Sequence, residues 1–463
     1  MIFSHESKNK NGKKFVIDGK VKAVANKALN KDILKEFWYG HAFHLSEIEM
    51  TETPAMEFVI GNPKKVELGG NAYAVNVDEN GIYLTAQDEQ KLVWAYMTLI
   101  DMIRIFEDDK LGVECNEFAE SPLVKNQMVH YCFAPPLELW EHERFIRFCG
   151  SLKYTHIIFE FWGTLKFDCM KELSWDFGFT KEEIKPLVKL ANDLGMEVVP
   201  MFNHWGHASG CSASYGKHTV LSQNPSLQSY FTDDGWCWDI SKDKVKKLLG
   251  EIRTELIELC GDGEYFHIGC DEAYGFKFTK ENMDFICDFI NEIDAEMQKH
   301  GRKIFVWGDM FLTKRADFEN EKNHYILNCP DIEKEKYMLD RLSKNVIIAD
   351  WQYWVTDIPV KSSVLFKNAG FEVFVCPWDI GYPKTKACFE TAANENLSGI
   401  IHTTWHTLED GIPEVDQMAM LCWGTDPTKV FWTTECASKL RKVFFSGGDY
   451  RKSGWARKGR WRI

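Results

Sequence analysis

The chain has 463 residues, of which 45% are hydrophobic and 27% charged, a balance that supports a large packed core in a soluble protein. Its formal net charge of −14 comes from 55 basic against 69 acidic residues without a basic stripe, which argues against a nucleic-acid partner. The N-terminus carries no apolar run of signal-peptide length and no later stretch approaches 18 uninterrupted apolar residues, so neither membrane insertion nor standard secretion is expected.

The 14 cysteines are scattered. Several, among them Cys132, Cys270, Cys376 and Cys422, lie inside apolar runs, where they read as small buried hydrophobes. A reducing cytoplasm is the expected location. The 17 tryptophans have two uses, since an indole fills a core and also packs on the apolar face of a sugar ring.

In chain order, residues 1–120 read as a small α+β domain. It contains a strand, a turn at Asp78-Glu79-Asn80-Gly81, a second strand and a helix, with Asn-Gly as the hairpin signal. From residue 121 a two-part unit repeats: a short apolar strand, then an amphipathic helix. Eight strands are predicted, at 127–133, 155–162, 196–202, 265–272, 303–309, 345–352, 372–378 and 398–405. Continuous apolar runs suit parallel strands covered on both faces. The helix after Ser241, expected as its cap, places Val245, Leu248, Leu249, Ile252, Leu256 and Leu259 on one face. The helix from Glu182 closes at Gly195, and that from Lys280 closes at Gly301. Eight alternating units predict an α/β fold, a (β/α)8 TIM barrel over 121–425, rather than an open doubly wound sheet. Residues 426–463 are expected to form a C-terminal helical extension packed on the barrel.

Barrel chemistry sits where strands end at their C-terminal side. Those ends supply Glu160 and Trp162; Asn203, His204 and His207; Asp271 and Glu272; Trp307 and Asp309; Asp350, Trp351, Tyr353 and Trp354; Trp378 and Asp379; Trp405 and His406. Carboxylates and indoles recur around the rim. Glycoside hydrolysis needs a protonated acid beside the leaving oxygen and a negative or nucleophilic group near the anomeric carbon. The adjacent pair Asp271-Glu272 can deliver both only where the strand is ending, because neighbours on a strand face opposite ways. Two close carboxylates also drive their pKa values apart.

The segment YFHIGCDEAYGF resembles the strand-four signature of family 20 glycoside hydrolases, the β-N-acetylhexosaminidases, His-x-Gly-(Gly/Ala)-Asp-Glu. His267, Gly269, Asp271 and Glu272 match, with Cys270 in the small-residue position. VVPMFNHWGHAS is similar to the family's third-strand segment, with Gly206 and His207 on its Gly-His pair. DEQKLVWAYMTLIDMI resembles the small domain that precedes this barrel. The resemblance implies substrate-assisted, retaining catalysis through an oxazolinium ion, with Glu272 as general acid and base. Asp271 would orient the 2-acetamido nitrogen and Tyr353 would hold the acetamido oxygen. Trp351, Trp378 and Trp405 would wall the pocket, and His207 would support the site. From their places at strand ends alone, Trp307 is a further substrate-binding candidate or core, and Glu160, Asp309 and Asp350 are hydroxyl binders or loop caps. The substrate implied is an oligosaccharide or glycoconjugate ending in β-linked N-acetylhexosamine.

Two positions depart from the pattern. The strand-one arginine is replaced by Lys125, Asn126 and Gln127, and the strand-eight Trp-Gly-Glu is Trp405-His406-Thr407, with Glu409 and Asp410 following. In this the chain is closer to the intracellular hexosaminidase D-like branch. Two other readings stay open: a carboxylate nucleophile from Asp309, Asp350 or Asp379, and a non-catalytic sugar-binding barrel. No cofactor and no metal is expected; His204, His207, His267 and Asp271 lack the His-x-His pairing on one strand that a zinc site favours.

Overall fold

The computed structural model describes residues 12–133, 137–209, 221, 224–318, 322–378, 381–405, 408–429, 436–440 and 442–443, the side chains of 408–410 excepted. Most of the predicted C-terminal extension, with Asp379, His406 and the side chains of Glu409 and Asp410, therefore lies outside the described residues.

Among the described residues the N-terminal unit carries nine strands: β1 Lys14–Val16, β2 Lys20–Asn26, β3 Glu47–Thr53, β4 Glu57–Gly61, β5 Tyr73–Asp78, β6 Gly81–Ala86, β7 Arg104–Ile105, β8 Leu111–Glu114 and β9 Asn116–Glu120. Six of them form one sheet in the order β3-β2-β4-β6-β5-β9, and the helices Lys31–His41 and Glu89–Asp101 pack against it. The predicted hairpin is present as β5 and β6, but its turn residues are Glu79 and Asn80. The Asp78 carboxylate accepts from the N–H groups of both Asn80 and Gly81, so an Asx turn does the work assigned to Asn-Gly.

This unit docks against loops that lead into barrel strands, the end away from the strand C-termini. Gln90 donates to the Gly195 carbonyl, and the buried Lys153 ammonium lies 3.6 Å from the ring centre of Trp423 and 3.0 Å from the Tyr73 hydroxyl. Burial pushes the Lys153 ammonium down to about 8 against the pull of Glu120.

The next eight strands close into a parallel barrel: β10 Asn126–Cys132, β11 His156–Glu160, β12 Glu197–Met201, β13 Tyr265–His267, β14 Lys303–Trp307, β15 Ile347–Trp351, β16 Glu372–Cys376 and β17 Gly399–Thr403. Each lies within one predicted strand apart from a one-residue extension of β10. Met128, Ile158, Val199, Phe305, Ile347 and Phe374 fill the barrel interior, while the alternate residues pack under the helices.

Local signals explain most helix ends. Thr180 and Glu183 form a capping box for Lys181–Asp193, and Thr279 caps Lys280–Gln298. Ser241 does not cap Asp243–Cys260: its hydroxyl is turned to Asp239, and Lys242 takes the cap position without a side-chain bond. The apolar face of that helix is buried as expected.

The strand that carries the Asp-Glu pair is the shortest of the eight. It ends at His267 because Gly269 and Cys270 adopt φ of +67° and +75°, outside strand geometry. The barrel hydrogen bonds continue past that break, from His204 N–H to Ile268 O and from Trp307 N–H to Gly269 O. The backbone can thus twist at residues 269–272 without opening the barrel wall.

Candidate active site

Backbone strain marks the site. Ten non-glycine residues among those described have left-handed φ, and five of them, Trp162, His207, Cys270, Glu272 and Trp405, sit at the strand C-termini of the barrel. Each such residue costs on the order of 1–3 kcal/mol, which the surrounding packing must hold in place.

Two glycines make the close approaches possible. A Cβ at Gly269 would fall 1.3 Å from the Asn203 side-chain oxygen, and one at Gly206 would fall 2.1 Å from the Asp271 carbonyl oxygen. Without side chains there, the loop after β12 presses onto the Asp271-Glu272 backbone and delivers His207. Its Nδ1–H donates to Asp271 Oδ2 at 3.1 Å and lies 3.6 Å from Glu272 Oε2. Trp236 stacks on the imidazole, with centroids 4.8 Å apart, and donates its indole N–H to the Glu272 carbonyl at 2.6 Å.

The two carboxylates have different surroundings. Asp271 is buried, with Oδ2 held by His207 and Oδ1 without a hydrogen-bond partner among the described residues. Glu272 is half-buried and accepts the Tyr274 hydroxyl at 2.5 Å on Oε1. Burial raises its pKa, and the neighbouring Asp271 charge raises it further, against the opposing pull of His207 and Tyr274. Glu272 is thereby biased toward the protonated acid.

Behind the pair lies Asp309, fully buried at the end of β14. It accepts from the Glu272 backbone N–H at 2.9 Å, from Asn328 at 2.8 Å and from the Trp351 indole at 3.1 Å. Burial and the Asp271 charge push its carboxyl up to about 7, against the Glu272 N–H and Asn328, which favour the ionised form. With both oxygens occupied by the frame, Asp309 joins the carboxylate end of the site to its indole wall and is not presented as a nucleophile.

The wall runs from Trp351 to Tyr353, centroids 5.1 Å apart, and from Tyr353 to Trp378 at 5.2 Å. The Trp405 indole donates to the Tyr353 hydroxyl oxygen at 2.7 Å. An indole N–H can only donate, so the tyrosine proton is directed to another acceptor. Burial raises the Tyr353 pKa well above its usual value, keeping that proton in place. Trp307 is fully buried on the floor, 5.6 Å from Trp405 and 4.3 Å from His267.

On the far side, Glu160 ends β11 facing inward. It meets His130 Nε2 at 3.0 Å and accepts the Cys132 thiol at 2.8 Å and the Trp162 indole N–H at 2.5 Å. His130 packs edge-on to Trp405 with centroids 4.6 Å apart, so this cluster borders the same pocket.

Nine of the ten predicted site residues therefore converge on the barrel mouth or its floor. Asp350 does not. It faces out of the barrel, buried under the helix Lys361–Asn368, where Ser362, Ser363 and Gln352 hydrogen-bond it. Strand alternation is the reason: Trp351 points in, so its neighbour points out. Asp309, a candidate nucleophile from its place at a strand end, is a brace instead. Trp236, Tyr274 and Asn328 were not singled out, nor was the pair His130 and Cys132, although their i, i+2 spacing on a strand was visible.

At the strand C-termini of the barrel a strained Asp-Glu pair thus faces an aromatic cup, an arrangement suited to glycoside chemistry. The model of the glycosyl hydrolase family 20 catalytic domain matches residues 166–418, more than half of the chain, and the chain belongs to that family. Over 273 residues it is 23% identical to a lacto-N-biosidase of Bifidobacterium bifidum, covering 53% of this chain but only 23% of that protein's length. In fold it is similar to the β-N-acetylhexosaminidase of Streptomyces coelicolor, with a TM-score of 0.65, 15% identity and 94% of each chain covered. The exo-β-N-acetylglucosaminidase of Vibrio harveyi, solved with N-acetylglucosamine, gives a TM-score of 0.63 at 14% identity, covering 93% of this chain and 74% of that one.

Proposed function

We propose that the protein is an exo-acting β-N-acetylhexosaminidase that removes a terminal β-linked GlcNAc or GalNAc by substrate-assisted catalysis. The observation that carries this reading is the unequal treatment of the two carboxylates. Asp271 keeps one buried oxygen without a partner among the described residues, a state that costs roughly 1–3 kcal/mol until a donor arrives. The N–H of a 2-acetamido group is such a donor. Tyr353, its oxygen already accepting from Trp405, would give its proton to the acetamido oxygen and hold that oxygen for attack on the anomeric carbon.

Glu272 then protonates the glycosidic oxygen as the acetamide closes to an oxazolinium ion. The Asp271 carboxylate stabilises the positive charge that develops on nitrogen. In the second half the Glu272 carboxylate takes a proton from water, which opens the ring with overall retention. His207 positions Asp271, and Asp309 positions both the Glu272 backbone and the Trp351 wall. Trp351, Trp378 and Trp405 flank the sugar. Glu160 faces the pocket as a hydroxyl acceptor in place of the strand-one arginine, in line with the hexosaminidase D-like branch.

The alternative with a carboxylate nucleophile has less support, because Asp309 is engaged by its frame and Asp350 faces away. No helix among the described residues is long and apolar enough to cross a membrane. Every described cysteine is a free thiol and all but Cys169 are buried, which fits work in a reducing compartment such as the cytoplasm.

The test is hydrolysis of aryl β-GlcNAc, β-GalNAc and β-glucoside by wild type and Glu272→Gln. Turnover of the N-acetylated substrates alone, lost in the variant and blocked by a thiazoline mimic of the oxazolinium ion, is the expected result. Equal turnover of the glucoside rejects substrate assistance, and an unimpaired variant rejects the role of Glu272.

A further inference from the structure

Among the described residues, two groups of three metal-ligating side chains have their ligand atoms within 4.8 Å of one another. One, His207 with Asp271 and Glu272, is accounted for by the proton chemistry above. In the other, His130, Cys132 and Glu160, only Glu160 has been given a role above, as a hydroxyl acceptor, and the clustering of the three is unexplained.

We propose that His130, Cys132 and Glu160 bind one zinc-class divalent cation at the floor of the pocket. His130 and Cys132 are two apart on β10 and both face inward. Glu160 is the register partner of Cys132 on β11. The backbone thus supplies a His-x-Cys pair on one strand and a carboxylate on the next.

The atoms already approximate three corners of a tetrahedron. Zinc bonds of 2.0–2.3 Å to nitrogen, oxygen and sulfur imply ligand separations of about 3.3–3.6 Å. Here Cys132 Sγ to His130 Nε2 is 3.7 Å, His130 Nε2 to Glu160 Oε2 is 3.0 Å, and Cys132 Sγ to Glu160 Oε2 is 2.8 Å. The last pair is now joined by the thiol proton, and it is the one that must open when a cation replaces that proton.

Charge closes as well. A +2 ion, one thiolate, one carboxylate and a neutral imidazole sum to zero, which suits groups with 0–1% of their surface exposed. Binding releases the thiol proton to solvent. The far oxygen of Glu160 is held by Trp162, the kind of outer bond that fixes a ligand's orientation in metal sites. A mixed sulfur, nitrogen and oxygen set favours zinc over magnesium or calcium. The proposal does not depend on the hydrolytic reading.

The experiment is a titration of chelator-dialysed full-length protein with Co²⁺, followed by displacement with Zn²⁺. One equivalent should produce a thiolate-to-cobalt charge-transfer band that Zn²⁺ abolishes. Cys132→Ser, folded by circular dichroism, should lose the band. Glu160→Gln should weaken binding roughly tenfold or more. His207→Gln should leave the band unchanged, since it touches only the other group. No band in wild type, or the same band in Cys132→Ser, overturns the proposal. Should Cys132→Ser fail to fold, His130→Gln takes its place: an unaltered band there overturns the proposal equally.

Discussion

The mouth of the barrel has two unlike halves. The half built from the ends of β12 to β15 is acidic, strained and braced: His207, Asp271, Glu272 and Asp309 are linked in one chain that contains two left-handed residues, His207 and Glu272. The half built from β10, β11 and β17 is a compact thiol, imidazole and carboxylate cluster set against indoles. The first carries the family pattern at His267, Gly269, Asp271, Glu272 and the Gly206-His207 pair, and the second departs from it at the strand-one arginine. Bond-breaking chemistry tolerates little change in proton donor or charge placement. Contacts to sugar hydroxyls can be rebuilt from other polar groups. On the proposed mechanism, the difference between the halves separates what cleaves from what selects.

The largest effect should come from the braced half. Glu272→Gln removes the proton donor and should lower kcat/KM by about 10²–10⁴-fold, read with an aryl glycoside of poor leaving group. Little change in KM is expected, because the acid acts in the transition state. A mere loss of binding, with kcat preserved, would erase the proposed distinction between the halves.

Asp271→Asn comes next, at roughly 10²–10³-fold, since a charge facing the developing cation is lost. It also carries a pH signature. The Asp271 charge raises the Glu272 pKa, so removing it lowers that pKa. The acid then deprotonates earlier, and the basic limb of the kcat/KM profile should move to lower pH. An unmoved or upward-shifted limb contradicts the coupling. Tyr353→Phe, on the wall between the halves, should cost about 10²-fold by deleting one donor to the acetamide, with a parallel loss in thiazoline affinity. An unchanged inhibitor constant would remove Tyr353 from that role.

The braced half was legible in the sequence because its parts are local: an apolar strand, a Gly-x-Asp-Glu ending and a Gly-His pair one strand earlier. Even so, β13 stops before the predicted end, because Gly269 and Cys270 leave strand geometry to present the two carboxylates. What the sequence hid are contacts between distant segments. Trp236, in a loop more than thirty residues before Glu272, reaches its carbonyl, and Asn328 reaches Asp309 from another loop. No periodicity encodes such meetings. Asp350 is the opposite case, since alternation next to an inward Trp351 already turned it outward. His130-x-Cys132 was readable by the same rule, and it is the half without a family pattern that held it.

The smallest effect should fall on the selecting half. Glu160→Gln keeps the shape and an oxygen for the Trp162 indole, but it puts a neutral amide where His130 and Cys132, and in the proposed mechanism a sugar hydroxyl, meet a carboxylate. A hydrogen bond to a charged acceptor contributes about 1.5–3 kcal/mol, and a hydroxyl held equally in ground and transition states affects binding only. The variant, assayed after removal of divalent metal, should therefore raise KM for aryl β-GlcNAc by roughly tenfold with kcat little changed. The loss should shrink for the deoxy-sugar lacking the hydroxyl that Glu160 meets. A fall in kcat of the size seen with Glu272→Gln would instead make Glu160 part of the bond-breaking machinery. The two halves of the mouth would then be one catalytic unit, with selection placed elsewhere on the rim.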